Sequence, residues 1–207
     1  GKYIAVAYSN DYLYYHEAAT GSLVFTLNTG IDISGNQGYE KMAMSGDGRY
    51  IAVIRGYPFQ SNGDAVVLVD ATEREIKWSI EIEGTGIMDV DISANGKYVV
   101  FGTFSGNDDS DRYNLYYVRV SDGQVLWQFH TYAEVRQVTI SGDGQFVVAA
   151  TEDGYSQGRY RLLVWDAFDQ TLIRNEYTGS GPYTFSASMS VDGARYIMVR
   201  NGVLFLH

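Results

Sequence analysis

The sequence predicts an all-β protein built from repeated, four-stranded antiparallel units. A turn of the form Ser-x-Asp/Asn-Gly begins at residues 45, 93, 141 and 190, so successive copies lie 48, 48 and 49 residues apart. Each turn leads into an apolar run with an aromatic residue at its head, namely Tyr50, Tyr98, Phe146 and Tyr196. A period of this length is typical of arrays of small β units that cover one another's apolar faces.

The strands of each unit follow from their hydrophobic patterns. Residues 135–177 contain four short apolar stretches separated by turn residues, which is typical of four antiparallel strands. The preceding units predict strands near 40–45, 49–55, 65–70 and 75–81, and then near 87–93, 97–103, 113–120 and 124–129. First strands alternate, with apolar residues one and three positions before the turn serine, as at Met44 and Met42. Second strands are apolar at nearly every position, which requires cover on both faces, and radial stacking of sheets provides it. We therefore predict a β-propeller.

The order of the units predicts an incomplete ring. We expect a single propeller domain over residues 1–207, with blades at 39–85, 86–133 and 134–181 and partial blades at 1–38 and 182–207. The first partial blade matches the second to fourth strands of a unit, and the last matches the first three. About four and a half blades close neither a four-bladed nor a five-bladed ring. We therefore expect part of a ring of six to eight blades, each of ~48 residues, whose other blades come from the same chain or a partner.

Two groups of repeat propellers resemble this chain. Residues 70–72 (Asp-Ala-Thr) and the pair Trp165-Asp166 resemble WD-repeat propellers, whereas residues 19–25 and 121–127 resemble the repeats of pyrroloquinoline-quinone-type propellers. The Gly-His dipeptide of WD repeats is missing from every unit, and Trp-Asp occurs in one unit. The second resemblance implies an alternative function, as a fragment of a quinone-dependent dehydrogenase. Those enzymes hold Ca²⁺ beneath the cofactor and commonly carry a vicinal cysteine pair, and this chain has no cysteine.

Composition limits the classes of partner. The formal net charge is −10 and the basic residues are scattered singly, so no cationic stripe is available and a nucleic-acid partner is not expected. No apolar stretch approaches the ~18 residues that a membrane-spanning helix needs. The absence of cysteine excludes disulfides and thiolate metal sites. High Tyr, Gly and Asn with few Lys favour an extracytoplasmic or cell-surface location.

Candidate binding residues concentrate on one face of the predicted disc. Three connections between second and third strands are long and individual, and long loops on a rigid scaffold are where binding residues concentrate. We expect a binding face there, although tolerated insertions are the competing interpretation. Its candidate residues are the non-recurring side chains Tyr57, Phe59, Tyr155, Arg159 and Tyr183.

One of these loops is also a candidate for a Ca²⁺ site. It carries four hard oxygen donors, Asn107, Asp108, Asp109 and Asp111. Their spacing departs from the known calcium loop, and a solvated turn is the competing interpretation. No other cofactor is expected.

The remaining polar and aromatic features favour structural roles. Asp89 and Asp91, with Lys41 and Arg136, are expected to line a central channel. The three tryptophans recur at equivalent strand positions and are therefore expected to pack between blades. No nucleophile elbow, phosphate loop or dinucleotide fingerprint is present. The sequence therefore predicts a non-enzymatic interaction or structural scaffold that binds a protein partner through the long-loop face.

Overall fold

The computed structural model describes residues 1–7, 11–31, 41–55, 64–82, 86–104, 114–131, 133–153, 159–180, 185–200 and 203–206. These residues form five antiparallel sheets in chain order, of three, four, four, four and three strands. The first sheet contains β1 (Tyr3–Ala7), β2 (Asp11–Glu17) and β3 (Leu23–Ile31). The second contains β4 (Met42–Met44), β5 (Tyr50–Arg55), β6 (Asp64–Asp70) and β7 (Glu75–Ile82). The third contains β8 (Ile87–Ile92), β9 (Tyr98–Thr103), β10 (Leu115–Arg119) and β11 (Val125–Phe129).

The chain continues with two further sheets of the same kind. The fourth contains β12 (Glu134–Ile140), β13 (Phe146–Asp153), β14 (Arg159–Asp166) and β15 (Thr171–Ser180). The fifth contains β16 (Phe185–Met189), β17 (Tyr196–Arg200) and β18 (Val203–Leu206). The predicted all-β class and the four-stranded antiparallel units are confirmed. In the part of the chain that the structure describes, no helix is long and apolar enough to cross a membrane.

The recurring turn is held by its own side chains. Ser45 Oγ donates to Asp47 Oδ1 (2.6 Å) and accepts the N–H of Tyr50 (3.0 Å), while Asp47 Oδ1 also accepts the N–H of Arg49 (2.9 Å). Gly48 has φ +82°, a left-handed conformation that glycine adopts without a Cβ penalty. The same bond from the serine hydroxyl to a side-chain Oδ1 recurs at Ser93–Asn95, Ser141–Asp143 and Ser190–Asp192. Side-chain bonding of this kind explains why Ser, Asp and Gly are needed at these positions.

The register of the fifth sheet corrects one prediction. Tyr196 pairs with Met189, as Ile51 pairs with Met44 in the second sheet. Tyr196 is therefore equivalent to Ile51 and not to the aromatic Tyr50, whose position is taken by Arg195. The two turns have the same length, since Arg195 N–H donates to Ser190 Oγ as Tyr50 N–H donates to Ser45 Oγ, and the aromatic residue of the fifth sheet lies one position later in its strand.

Apolar clusters fill the interfaces between neighbouring sheets, which we number one to four. In the second sheet, Ile51 and Val53 belong to the cluster at the first interface, whereas Ala52 and Ile54 belong to the cluster at the second. Two further clusters occupy the third and fourth interfaces. Both faces of the inner sheets are thus buried, as the continuous apolar runs predict, and the arrangement is propeller-like.

Two outer-strand tryptophans bond across the interfaces. Trp78 Nε1 donates to the carbonyl of Val120 (2.9 Å) and Trp127 Nε1 donates to that of Ala167 (3.0 Å). The predicted packing role is confirmed for both. Trp165 differs, because it lies in the third strand β14 and is buried in the cluster of the third interface. The three tryptophans therefore do not share one position, and that part of the prediction is wrong.

Polar residues of the first strands also connect the sheets. Asp89 Oδ2 accepts the N–H of Val138 in β12 (2.9 Å), and Asp91 makes the matching contact to Ile140 (3.0 Å). At the next interface, the Gln137 side chain donates to the carbonyl of Ala187 in β16 (3.1 Å) and accepts a hydrogen bond from the Ala187 N–H (2.7 Å). Neighbouring sheets are not joined by strand pairing, so these side chains supply hydrogen bonds between them. This supports the predicted structural role of Asp89 and Asp91.

Candidate functional site

The sheets have two dissimilar ends. The turn end carries the short turns between first and second and between third and fourth strands. The loop end carries the connections between second and third strands and from sheet to sheet. The predicted site residues Tyr57, Phe59, Tyr155 and Tyr183 and the calcium candidates Asn107, Asp108, Asp109 and Asp111 lie outside the described residues. Arg159 begins β14 at the loop end, and its side chain lies outside the described set as well.

Three charged residues meet where the fourth sheet reaches the loop end. Glu134 begins β12 and lies directly opposite Glu152 of β13. Arg136 joins them, with its Nη2 2.5 Å from Glu134 Oε2 and its Nε 2.8 Å from Glu152 Oε2. The Tyr160 hydroxyl donates to Glu152 Oε1 (3.1 Å). The Glu134 side chain is 3% exposed and that of Arg136 33%, so the cluster extends from the interior to the surface.

A β-bulge places Arg136 in this cluster. Val135 pairs with Thr151 and Gln137 pairs with Ala150, which leaves Arg136 as the extra residue on β12. A bulge of this kind redirects a side chain and recurs next to functional sites. The same bulge occurs at Met88 in β8, where an apolar residue occupies the extra position.

This geometry gives the ion-pair partners of the residues predicted to line a channel, and the channel itself stays a prediction. Lys41 Nζ does lie 3.2 Å from Asp89 Oδ1, as expected of residues on neighbouring first strands. Arg136 instead pairs with two glutamates of its own sheet. Glu134 was not singled out by sequence reasoning, because the signal that identifies it is the bulge and not the local sequence.

Burial sets the protonation of the cluster. The pKa of Glu134 is raised to about 7, chiefly because burial disfavours the charged carboxylate. The nearby Glu152 charge raises this pKa further, and Arg136 opposes both effects. Two carboxylates share one guanidinium, so the cluster can hold a proton near neutral pH. It can therefore accept or donate hydrogen bonds to a group that approaches from the loop end.

Further buried polar groups at the loop end have no partner within the part of the chain that the structure describes. Thr103 ends β9 and its N–H donates to the carbonyl of Asn114 (2.8 Å), so the two residues face each other at the start of the connection between β9 and β10. Both residues are fully buried, and the Thr103 hydroxyl and both amide atoms of the Asn114 side chain have no hydrogen-bond partner among the described residues, which do not include 105–113. The hydroxyl of Thr151, 1% exposed, is in the same situation. Unpaired buried polar atoms are rare and indicate bound water, a ligand or a functional role.

Metal-binding groups are sparse among the described residues. Across these ranges no set of three or more His, Cys, Asp or Glu side chains is placed to hold a metal ion. The calcium candidate of the 105–113 connection stays a prediction.

Comparison with known proteins identifies the fold and no family. No family model matches the chain, and no curated protein sequence matches it. Among solved structures, the hydrazine synthase of Kuenenia stuttgartiensis superposes with a TM-score of 0.72 at 15% identity. The match covers 96% of this chain and 52% of that one, so the chain spans about half the length of the solved relative. At this identity the likeness shows a shared propeller-like, β-rich fold alone.

Proposed function

We propose that this protein is a non-enzymatic interaction module that binds a protein partner through its loop end. The observation that carries the proposal is the contrast between the two ends of the sheets. At the turn end, the Ser and Asp/Asn side chains repeat one pattern and bond to each other. At the loop end, individual polar residues lie buried with atoms that the described part of the chain leaves unpaired.

The charged cluster of the fourth sheet supports a recognition role. Glu134 and Glu152 are paired across neighbouring strands and Arg136 is the bulge residue of the same strand pair, so all three are held by the sheet and not by loop conformation. Arg is enriched at the centres of interfaces, where its planar group recognises carboxylates. The guanidinium of Arg136 is one-third exposed and is oriented by two carboxylates, which suits it to contact a partner.

We further propose that the five sheets belong to a larger ring of six to eight blades. Ile4 pairs with His16 in the first sheet as Ile51 pairs with Val69 in the second, yet Ile4 is 47% exposed and Ile51 is fully buried. The outer face of the first sheet is therefore built like an interface, and no sheet of the described ranges packs against it. Native mass spectrometry tests this point, because a stable, soluble monomer of about 23 kDa for residues 1–207 contradicts it.

Partner capture by the full-length protein tests the binding role. The variants Tyr57→Ala, Phe59→Ala and Tyr155→Ala remove the predicted loop-end contacts, and chemical crosslinking followed by mass spectrometry identifies what is bound. The matched control is Val191→Ser, which removes a 72% exposed apolar side chain from the turn end. We expect the loop-end variants to lose a crosslinked partner that the wild type and the control retain. Retention of every partner by all three loop-end variants would refute the proposal.

The other parts of the proposal have separate tests. Extracytoplasmic location is tested by fractionation of the source cells with an antibody against the full-length protein. Recovery in the cytoplasmic fraction would contradict it.

A further inference from the structure

A cleft opens at the turn end of the first interface. It has a volume of about 400 Å³ and its walls include Tyr3, Tyr15, Arg49, Thr72 and Arg74. Tyr3 stacks on Tyr15 with ring centroids 4.9 Å apart, and the Tyr15 hydroxyl donates to the carbonyl of Gly48 (2.7 Å). The aromatic wall is therefore fixed by a stacking contact and by a hydrogen bond to the next sheet.

The third interface repeats this construction. Tyr98 stacks on Tyr117 with centroids 5.0 Å apart, and the Tyr117 hydroxyl donates to the carbonyl of Gly144 (2.7 Å). There, however, the ring of Phe168 packs on Tyr98 at a centroid distance of 5.7 Å. The third interface thus carries an aromatic side chain in the place where the first interface carries a cleft.

Backbone contacts establish that Phe168 and Thr72 are equivalent residues. The N–H of Phe168 donates to Asp166 Oδ1 (3.0 Å), and the N–H of Thr72 donates to Asp70 Oδ1 (3.0 Å). Each turn has a non-glycine residue with positive φ two positions later, Gln170 (55°) and Arg74 (59°). The two turns have the same conformation, so the first interface has a threonine where the third has Phe168, whose ring packs on Tyr98 and is 52% exposed.

We infer that the cleft of the first interface binds an aromatic side chain of a partner polypeptide, which packs on Tyr3 as Phe168 packs on Tyr98. Aromatic pairs at this separation are favourable beyond the apolar area that they bury. Phe168 is the occupant that the fold itself supplies at the equivalent site, which argues for a phenylalanine-like ring and for a peptide as its carrier.

Charge at the rim favours an acidic neighbour of that ring. Arg74 is exposed and its guanidinium lies 5.9 Å from the centroid of the Phe25 ring, while the equivalent residue of the third interface is the neutral Gln170. Arg49, also at the rim, already binds Asp70 through Nε and Nη2 (3.1 and 2.9 Å). Asp47 lines the cleft too, but its Oδ1 is engaged by the Ser45 hydroxyl and the Arg49 N–H. Arg74 is therefore the group available to a carboxylate beside the incoming ring, as Asp169 stands beside Phe168.

The sequence of residues 167–170 provides the test peptide. We expect acetyl-Ala-Phe-Asp-Gln-amide to bind the full-length protein weakly and to shift the amide resonances of the first interface in NMR spectra. The peptide with alanine in place of phenylalanine should bind roughly tenfold more weakly, because it lacks the stacking ring. Equal binding of the two peptides, or no shift up to roughly 10 mM peptide, would overturn the inference.

Two substitutions place the binding in this cleft. Thr72→Phe supplies the ring from within the chain, so peptide binding should fall about tenfold or more, whereas Thr72→Val leaves the cleft open and should bind as the wild type does. Where Thr72→Phe unfolds the protein, Tyr3→Leu removes the stacking face and should give the same loss. Undiminished binding by the folded Thr72→Phe protein, or by Tyr3→Leu, would show that the peptide binds elsewhere and contradict the assignment. Because this cleft is at the turn end, its failure leaves the proposed loop-end function intact.

Discussion

Replacing Glu134 with glutamine should stabilise the protein above neutral pH and leave its stability nearly unchanged below about pH 4.5. In the folded protein the pKa of Glu134 is about 7, against 4.5 for an ordinary glutamate. The folded state therefore binds the proton more tightly than the unfolded state does. The stabilisation from the protonated form is complete below about pH 4.5 and is lost as pH rises towards 7.

The size of the effect follows from the two pKa values. They differ by about 2.5 pH units, and at 1.36 kcal/mol per unit the ionised side chain costs about 3 kcal/mol of folding free energy above pH 7. Glutamine resembles the protonated carboxyl group and avoids this cost. Arg136 does not become an unpaired buried charge in the variant, because it keeps its contact with Glu152 and is one-third exposed.

Urea unfolding followed by tryptophan fluorescence measures the difference between wild type and Glu134→Gln across this pH range. Asp91, whose pKa burial raises to about 6, adds a similar pH dependence to both proteins, so it cancels in the difference. Glu176→Gln is the control for loss of one carboxylate, since its side chain is 39% exposed on the same sheet. A Glu134→Gln protein that is no more stable than wild type at about pH 8 would show that Arg136 compensates the buried charge fully and would refute the reasoning.

Three further predictions address the packing between sheets, each measured as the free energy of unfolding in urea. Gly102→Ala should lower the free energy of unfolding by about 2 kcal/mol or more, because the new Cβ would lie 2.2 Å from a methyl group of Val135 and 3.1 Å from its carbonyl oxygen. A decrease under about 0.5 kcal/mol would mean that the two sheets separate easily. Tyr117→Phe should cost about 1 kcal/mol through loss of its hydrogen bond to the next turn, and an unchanged stability would show that water replaces the bond. Ile51→Ala should cost about 2–5 kcal/mol, because Ile51 is fully buried, whereas Ile4→Ala in residues 1–207 should cost under about 1 kcal/mol, because Ile4 is 47% exposed. Equal losses would contradict the proposal that the outer face of the first sheet is uncovered.

Much of the fold could be predicted because its determinants are local. The Ser45–Asp47–Gly48 turn is closed by side chains within five residues of each other, so its sequence is visible wherever the turn recurs. The predicted strands of the second and third sheets lie within about two residues of the observed ones, as 75–81 does beside β7 (Glu75–Ile82).

The candidate site was less predictable because it depends on register. Period-two counting back from Ser141 puts Val138 and Arg136 on one face of β12. The bulge instead brings Val135 and Val138 together in the core of the third interface, which sends Arg136 to Glu134 and Glu152. No feature of the sequence around Arg136 marks where the extra residue is inserted.

The sequence by itself determined that the chain forms repeated antiparallel sheets with both faces covered, because turn chemistry and hydrophobic alternation act over a few residues. Only the tertiary structure decided which side chains meet across the interfaces. Three features show this: the hydrogen bond between Asp89 and Val138, the burial that raises the pKa of Glu134, and the cleft beside Tyr3. Each of them joins residues that are distant in sequence or depends on one bulge. Such contacts depend on how neighbouring sheets are placed. The sequence repeat determines each sheet, but the placement of one sheet against the next is determined by side-chain packing between them.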